Sequence, residues 1–332
     1  MQHLKTNRRS IWRRLRTASP RRAVIGAAAL GLGLGSAWVS GVQADSYPLP
    51  GSGDSVIGTP FYVKSRRADT LLDIGRHNQL GYQDMEQANR KVDMWLPGEG
   101  TDVMIARSFV LPMGTRTGLI LNRPEMRLYY FPPNKPGEVQ TYPISTGREG
   151  WDTPLGTFTI AKKVKDPTWT PPASIRAEHA ADGDILPAVV PAGPDNPLGQ
   201  YAMRLSIPSY LIHGTNKPWG LGMPVSHGCI RMNNEGIEEL FPQVSEGTPV
   251  TIVDQPYKYG WLGNDLYLEV HIPKDGTPKA ARSVIPDSVT NAAGVEMDWR
   301  AVERAVTENT GFPLVVGSRR SSAEGPYLRM VF

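Results

Sequence analysis

Thiols are all but missing from this sequence: its 332 residues include one cysteine, Cys229. No disulfide can form within the chain, which leaves pairing with another molecule, an inert buried thiol or a reactive one. Acidic residues are missing from the first 22 positions, where Lys5, Arg8, Arg9, Arg13, Arg14, Arg16, Arg21 and Arg22 make a basic leader. The apolar run that follows, residues 23–39, is shorter than the roughly 20 residues of a membrane span and is loosened by Gly31, Gly33 and Gly35. With Val42-Gln43-Ala44 as a small-residue cleavage site, residues 1–44 read as a secretory signal peptide. Its removal takes away eight positive charges and turns the formal net charge of +4 into −4. No lysine/arginine run or interleaved aromatic stripe is left beyond it, which excludes a nucleic-acid partner.

About 290 residues follow, enough for roughly two domains. Residues 45–60 are rich in Pro, Gly and Ser and read as a linker. Between 61 and 107 a strand at Phe61-Tyr62-Val63-Lys64 leads to a helix capped by Asp69-Thr70. A second helix from Tyr82 to Asn89 and a returning strand at Val103-Met104-Ile105 follow. From Gly118 short β-branched or aromatic strands bounded by Gly, Pro and Asn predict a sandwich or barrel over 118–255. They centre on Leu119, Leu128, Val139, Phe158, Met203, Ile212 and Ile252. A Pro-rich stretch from Asp166 to Gly199 interrupts them, and a loop of that length is usually functional. Asn233 caps a helix with Ile237, Leu240 and Phe241 on one stripe. In the remaining 256–332, Val295, Trp299, Val302 and Val306 predict a helix in a small α-containing appendage. The fold class is mainly β with α+β additions.

Cys229 follows Ser226-His227-Gly228 directly. A thiol with an ordinary pKa near 8.5 becomes a useful nucleophile when a histidine or backbone amides stabilise its anion. His227 is two residues away, and His213, at the end of a predicted strand and followed by Gly214, can approach through the fold. Gly228 lets the backbone come close to a substrate, and amides around Cys229 can converge on an oxyanion. His77, His179 and His271 read as satisfied or solvent-exposed histidines.

His213-Gly214 followed by Ser226-His227-Gly228-Cys229-Ile230-Arg231 closely resembles the active-site signature of the YkuD-type L,D-transpeptidases. Residues 61–107 resemble a LysM domain, carried by Tyr62-Val63-Lys64, Asp69-Thr70-Leu71, Ala88-Asn89 and Leu96-Pro97-Gly98, although the usual glycine before Asp69 is replaced. Together they are similar to the periplasmic ErfK-type members of Gram-negative bacteria.

The resemblance implies a YkuD-type β-sandwich, Cys229 as nucleophile, His213 as base, and an orienting or substrate-contacting role for His227. Gly228 and Cys229 would supply oxyanion amides. Arg231, Ser226, Gly214, Trp219 and Trp169 would meet substrate, Arg231 through a carboxylate. It implies no cofactor and no metal, and a zinc site at His213, His227 and Cys229 is set aside because the family is metal-free. The implied partners are peptidoglycan stem peptides and glycan, with an outer-membrane lipoprotein as a possible acyl acceptor. Other readings are an L,D-carboxypeptidase, a lipoprotein-releasing hydrolase or a non-catalytic wall-binding protein.

Overall fold

The computed structural model describes residues 45–319; the expected leader and the last residues of the C-terminal segment lie outside the described residues. Two strands, β1 (Asp45–Pro48) and β2 (Val56–Gly58), occupy the stretch read as a linker. β3 (Phe61–Lys64), α1 (Leu71–His77), α2 (Tyr82–Ala88) and β4 (Asp102–Ile105) make the expected βααβ unit, with β3 and β4 paired antiparallel. Thr70 starts α1 through a reciprocal cap, accepting from the Asp73 amide while the Asp73 carboxylate accepts from the Thr70 amide. β5 (Ser108–Val110) then returns along β2.

The strands of the next module are β6 (Gly118–Asn122), β7 (Arg127–Phe131), β8 (Glu138–Ser145), β9 (Gly156–Lys165), β10 (Tyr201–Leu205), β11 (Leu211–His213), β12 (Ile230–Met232) and β13 (Pro249–Val253). They pair in the order β8-β12-β11-β10-β9-β13-β6-β7, and β7 pairs again with β8. The two layers of the sandwich are therefore joined along both sides. β1 adds to β8, which explains why the Pro-rich "linker" is a strand: proline is tolerated at a sheet's rim. α3 (Ala173–Ala181) rises from the long loop directly after Pro172, and none of its side chains is buried. α4 (Asn234–Gln243) is capped by Asn233 as expected and lays Ile237 and Leu240 on the sandwich core.

Strand alternation settles where the modules meet. Leu119, Leu121, Leu128, Tyr130, Tyr142 and Ile144 face the sandwich core, while Ile120, Tyr129, Phe131 and Val139 face the other way. That second face is covered by Leu71, Ile74, Met85, Val103 and Ile105 of the βααβ unit. One wall of sheet thus serves two cores. Arg127 of β7 is fully buried at this junction, paired with Asp84 of α2 at 2.7 Å, and its guanidinium lies 4.1 Å from the Phe109 ring centre.

β14 (Tyr257–Leu262), β15 (Asp265–Val270), β16 (Val295–Met297) and β17 (Leu314–Arg319) form a four-stranded antiparallel sheet, so the C-terminal appendage is more than a docked helix. Between β15 and β16 lies a one-turn helix, α5 (Asp287–Thr290), and the expected helix is α6 (Trp299–Glu308). It begins later than its apolar stripe suggests, because the Asp298 carboxylate accepts from the Arg300 and Ala301 amides and stops it there. Lys258 ties this sheet to the others. Its buried ammonium lies 2.8 Å from both Glu125 and Glu269, and donates to the Val110 carbonyl at 2.6 Å. Glu125, Glu269 and His271 have the spacing of metal ligands, but Lys258 already sets a cation between the carboxylates. No helix among the described residues is long and apolar enough to cross a membrane.

Candidate active site

β11 and β12 run parallel, with Ile212 opposite Ile230 and His213 opposite Arg231. Ile212 and Ile230 point into the core, so alternation turns His213 and Arg231, with Cys229 two places before, to the opposite face. His213 is brought to the Cys229-Ile230-Arg231 segment because two three-residue strands pair in this register. β12 itself has no signal of its own in the sequence, since the signature motif runs straight through it.

His213 is 3% exposed, and its Nδ1–H donates to the Gly214 carbonyl at 2.7 Å, an assignment that leaves Nε2 as a lone-pair acceptor. Burial first, and the Arg231 charge second, push its pKa down to about 3. The ring is therefore neutral at any working pH. The Cys229 sulfur sits between a donor and an acceptor: the Leu211 amide points at it, and the thiol donates to the Ser209 carbonyl at 3.5 Å. Ser209 holds a left-handed φ of 72°, uncommon for a residue with a side chain. Burial raises the Cys229 pKa against the opposing pull of the Leu211 amide, Arg231 and Arg204. The thiol and the imidazole are thus both neutral at rest.

This fixes the sign of a pH effect. Alkylation of Cys229 by iodoacetamide should keep accelerating as pH rises past the ordinary thiol pKa of about 8.5, because only the thiolate attacks. Arg231→Met should move the curve further up. A rate already at its plateau by about pH 6 would mean a resting thiolate and overturn this reading.

His227 belongs to a different contact. Its Nε2 lies 2.9 Å from the Glu178 carboxylate on α3 and 3.0 Å from the Arg148 guanidinium, Arg148 and Glu178 are paired with each other, and the ring meets Trp151 edge-on. Burial, with Arg148 nearby, lowers its pKa against the pull of Glu178. His227 thereby fastens the otherwise unburied α3 beside the thiol. Ser226, expected to meet substrate, is 1% exposed: its hydroxyl donates to the Cys229 carbonyl and accepts from the Gly228 amide, so it shapes the turn.

Residues 116–252 match the YkuD family, the L,D-transpeptidase catalytic domain. The Probable L,D-transpeptidase ErfK/SrfK of Escherichia coli strain K12 is 37% identical over 286 residues, which cover 83% of this chain and 92% of that protein. The chain belongs to the L,D-transpeptidase family. Probable L,D-transpeptidase YcfS of the same strain is 37% identical over 293 residues, 85% of this chain and 91% of that one. Among solved structures, the catalytic domain of the Enterococcus faecium L,D-transpeptidase acylated by ertapenem is similar at 24% identity. That match spans 43% of this chain and 100% of the other, with a TM-score of 0.32.

In this L,D-transpeptidase the remaining expected residues are scattered. Gly214 is required by packing, since a Cβ there would stand 2.4 Å from the Asn234 side-chain oxygen. Trp169 pairs its backbone with Val190 at the base of the long loop. Trp219 is 61% exposed and lines a groove against Leu72, Arg76 and Tyr82 of the βααβ unit. His77, His179 and His271 are bonded to the Asp73 carbonyl, Asp184 and Glu269, as satisfied histidines should be. The structure also places around His227 and Cys229 residues that sequence reasoning passed over: Arg148 and Glu178 at His227, Ser209 and Arg204 at Cys229. Arg148 is signalled only by a Gly/Asp/Pro-rich turn at 147–154 and Glu178 only by the length of the Pro-rich loop, while Arg204 and Ser209 have no signal.

Proposed function

We propose that this enzyme transfers peptidoglycan stem peptides through a thioester on Cys229. Cys229 gives its proton to the free Nε2 of His213 as the sulfur bonds to the carbonyl carbon between the L-centre of meso-diaminopimelate and the terminal D-alanine of a tetrapeptide stem. The carbon–nitrogen bond then breaks, and His213 hands the proton to the departing amine of D-alanine. An acceptor amine, from a lipoprotein lysine or a second stem, next attacks the thioester, and its proton returns through His213 to the sulfur. The observation that carries this reading is the parallel register of β11 and β12, which turns His213, Cys229 and Arg231 to the face opposite the sandwich core.

The Cys229 amide supplies an oxyanion donor; the Gly228 amide, expected to be another, is spent on the Ser226 hydroxyl at 3.1 Å. Arg231 is half-buried, its buried Nε lacks a hydrogen-bond partner, and no carboxylate among the described residues pairs with it, so its charge is left for a substrate carboxylate to neutralise. The βααβ unit is read as a LysM-type contact to glycan, and the site of action as the periplasm. Incubating the protein with tetrapeptide muropeptides and following D-alanine release by mass spectrometry tests the proposal. Release with a new cross-link or lipoprotein adduct supports transfer; release with addition of water alone would make the enzyme a carboxypeptidase; no release sinks the reading.

The two histidines separate in the same assay. His213→Ala should lower turnover by about 10²–10⁴-fold as loss of a general base does, and His227→Ala by less. The reverse order would reassign the base.

A further inference from the structure

Thr153 lies in the turn between β8 and β9, buried, outside the signature motif. Its hydroxyl accepts from the Gly147 amide at 2.9 Å and donates to the Gly228 carbonyl at 2.8 Å. A hydroxyl has one proton to give, so these two bonds fix its rotation. Its backbone is fixed as well: the Thr153 carbonyl accepts from Arg123 at 2.7 Å, and Arg123 pairs with Asp254 at 2.7 Å. Thr153 is therefore a rigid donor aimed at one carbonyl.

That carbonyl shares a planar peptide unit with the Cys229 amide. In a trans peptide the C=O and N–H point to opposite sides, so holding one aims the other. The Ser226 hydroxyl holds the Gly228 amide and the Cys229 carbonyl on either side, but it does not reach the carbonyl of Gly228. The Gly228 φ of 100° and the Tyr210 ring, which would stand 2.9 Å from a Cβ, demand glycine, the residue with the loosest backbone. The peptide must be fixed from outside.

We propose that Thr153 is the positioning residue of the oxyanion hole: by gripping the Gly228 carbonyl it keeps the Cys229 N–H aimed at the oxygen of the tetrahedral intermediate. It touches neither substrate nor thiol. The assignment rests on the reading of Cys229 as the nucleophile.

Three measurements on the full chain test it: acylation by imipenem followed by mass, alkylation by iodoacetamide, and melting temperature. Thr153→Val keeps the branched shape and removes the donor. Acylation, which builds an oxyanion, should fall about 10–100-fold, somewhat less than loss of a direct oxyanion donor. Alkylation builds none and should stay within about 2-fold. Thr153→Ser, which keeps the hydroxyl, should recover most of the acylation rate. Should valine prevent folding, Thr153→Ala carries the same comparison without the added methyl. Unchanged acylation overturns the assignment, and so does a fall in acylation matched by an equal fall in alkylation, which would mark a general structural role. A parent enzyme that is alkylated but never acylated would overturn the nucleophile reading, and this assignment with it.

Discussion

Cys229→Ala should reduce D-alanine release to background and abolish the imipenem adduct, while the melting temperature stays within a few degrees of the parent. The chain has no second thiol that could form a thioester. The loss of fold stability is small because the partly buried sulfur makes only weak contacts, with the Leu211 amide and the Ser209 carbonyl. Neither His213 nor the Cys229 amide can substitute: they shuttle a proton and stabilise charge, and without a nucleophile there is no intermediate for them to act on. Release that survives in the variant would show that water, activated elsewhere, attacks the stem directly.

Deleting residues 61–107 should leave a chain that does not fold to a soluble, cooperative unit. A module that served only as a glycan tether would be removable, with soluble muropeptides still turned over. Here the deletion would bare Ile120, Tyr129, Phe131 and Val139 on the outer face of the sandwich, side chains that the βααβ unit now covers. Contacts extend to the loop before Cys229, where the Tyr82 amide donates to the Leu221 carbonyl at 2.9 Å, and to α4, where Arg76 pairs with Glu235 at 2.7 Å. Asp84→Ala probes the same junction with one residue. It strands the buried Arg127 charge and should destabilise the protein by about 3–5 kcal/mol in chemical denaturation. Replacing the pair by Arg127→Met with Asp84→Leu should recover much of that loss. A truncated chain that unfolds cooperatively and keeps its turnover would establish the two modules as independent.

What could be read in the sequence follows physical range. The strands around Leu119 and Leu128 declare themselves by composition, and the Thr70 and Asn233 caps by local chemistry, because each signal lies within a few residues. The motif around Cys229 is legible for the same reason. Arg148, Glu178 and His227 meet only through tertiary structure, and nothing near any of them announces the other two. The same holds for Arg127 with Asp84, where charges ordinarily read as surface turn out to be buried. Proline and glycine misled twice, hiding β1 in a stretch that looks like linker and α3 in a stretch that looks like loop.

The thiol held against the Ser209 carbonyl has a consequence for survival as well as for reaction. Peroxides and disulfides attack through the thiolate, so a sulfur kept protonated enters the oxidation ladder slowly. A lone cysteine has no neighbour in the chain to rescue it as a disulfide once it becomes a sulfenic acid. Under the proposed mechanism, storing Cys229 as a thiol and generating the anion only when His213 takes the proton during attack would shield the chain's single sulfur from oxidants between turnovers.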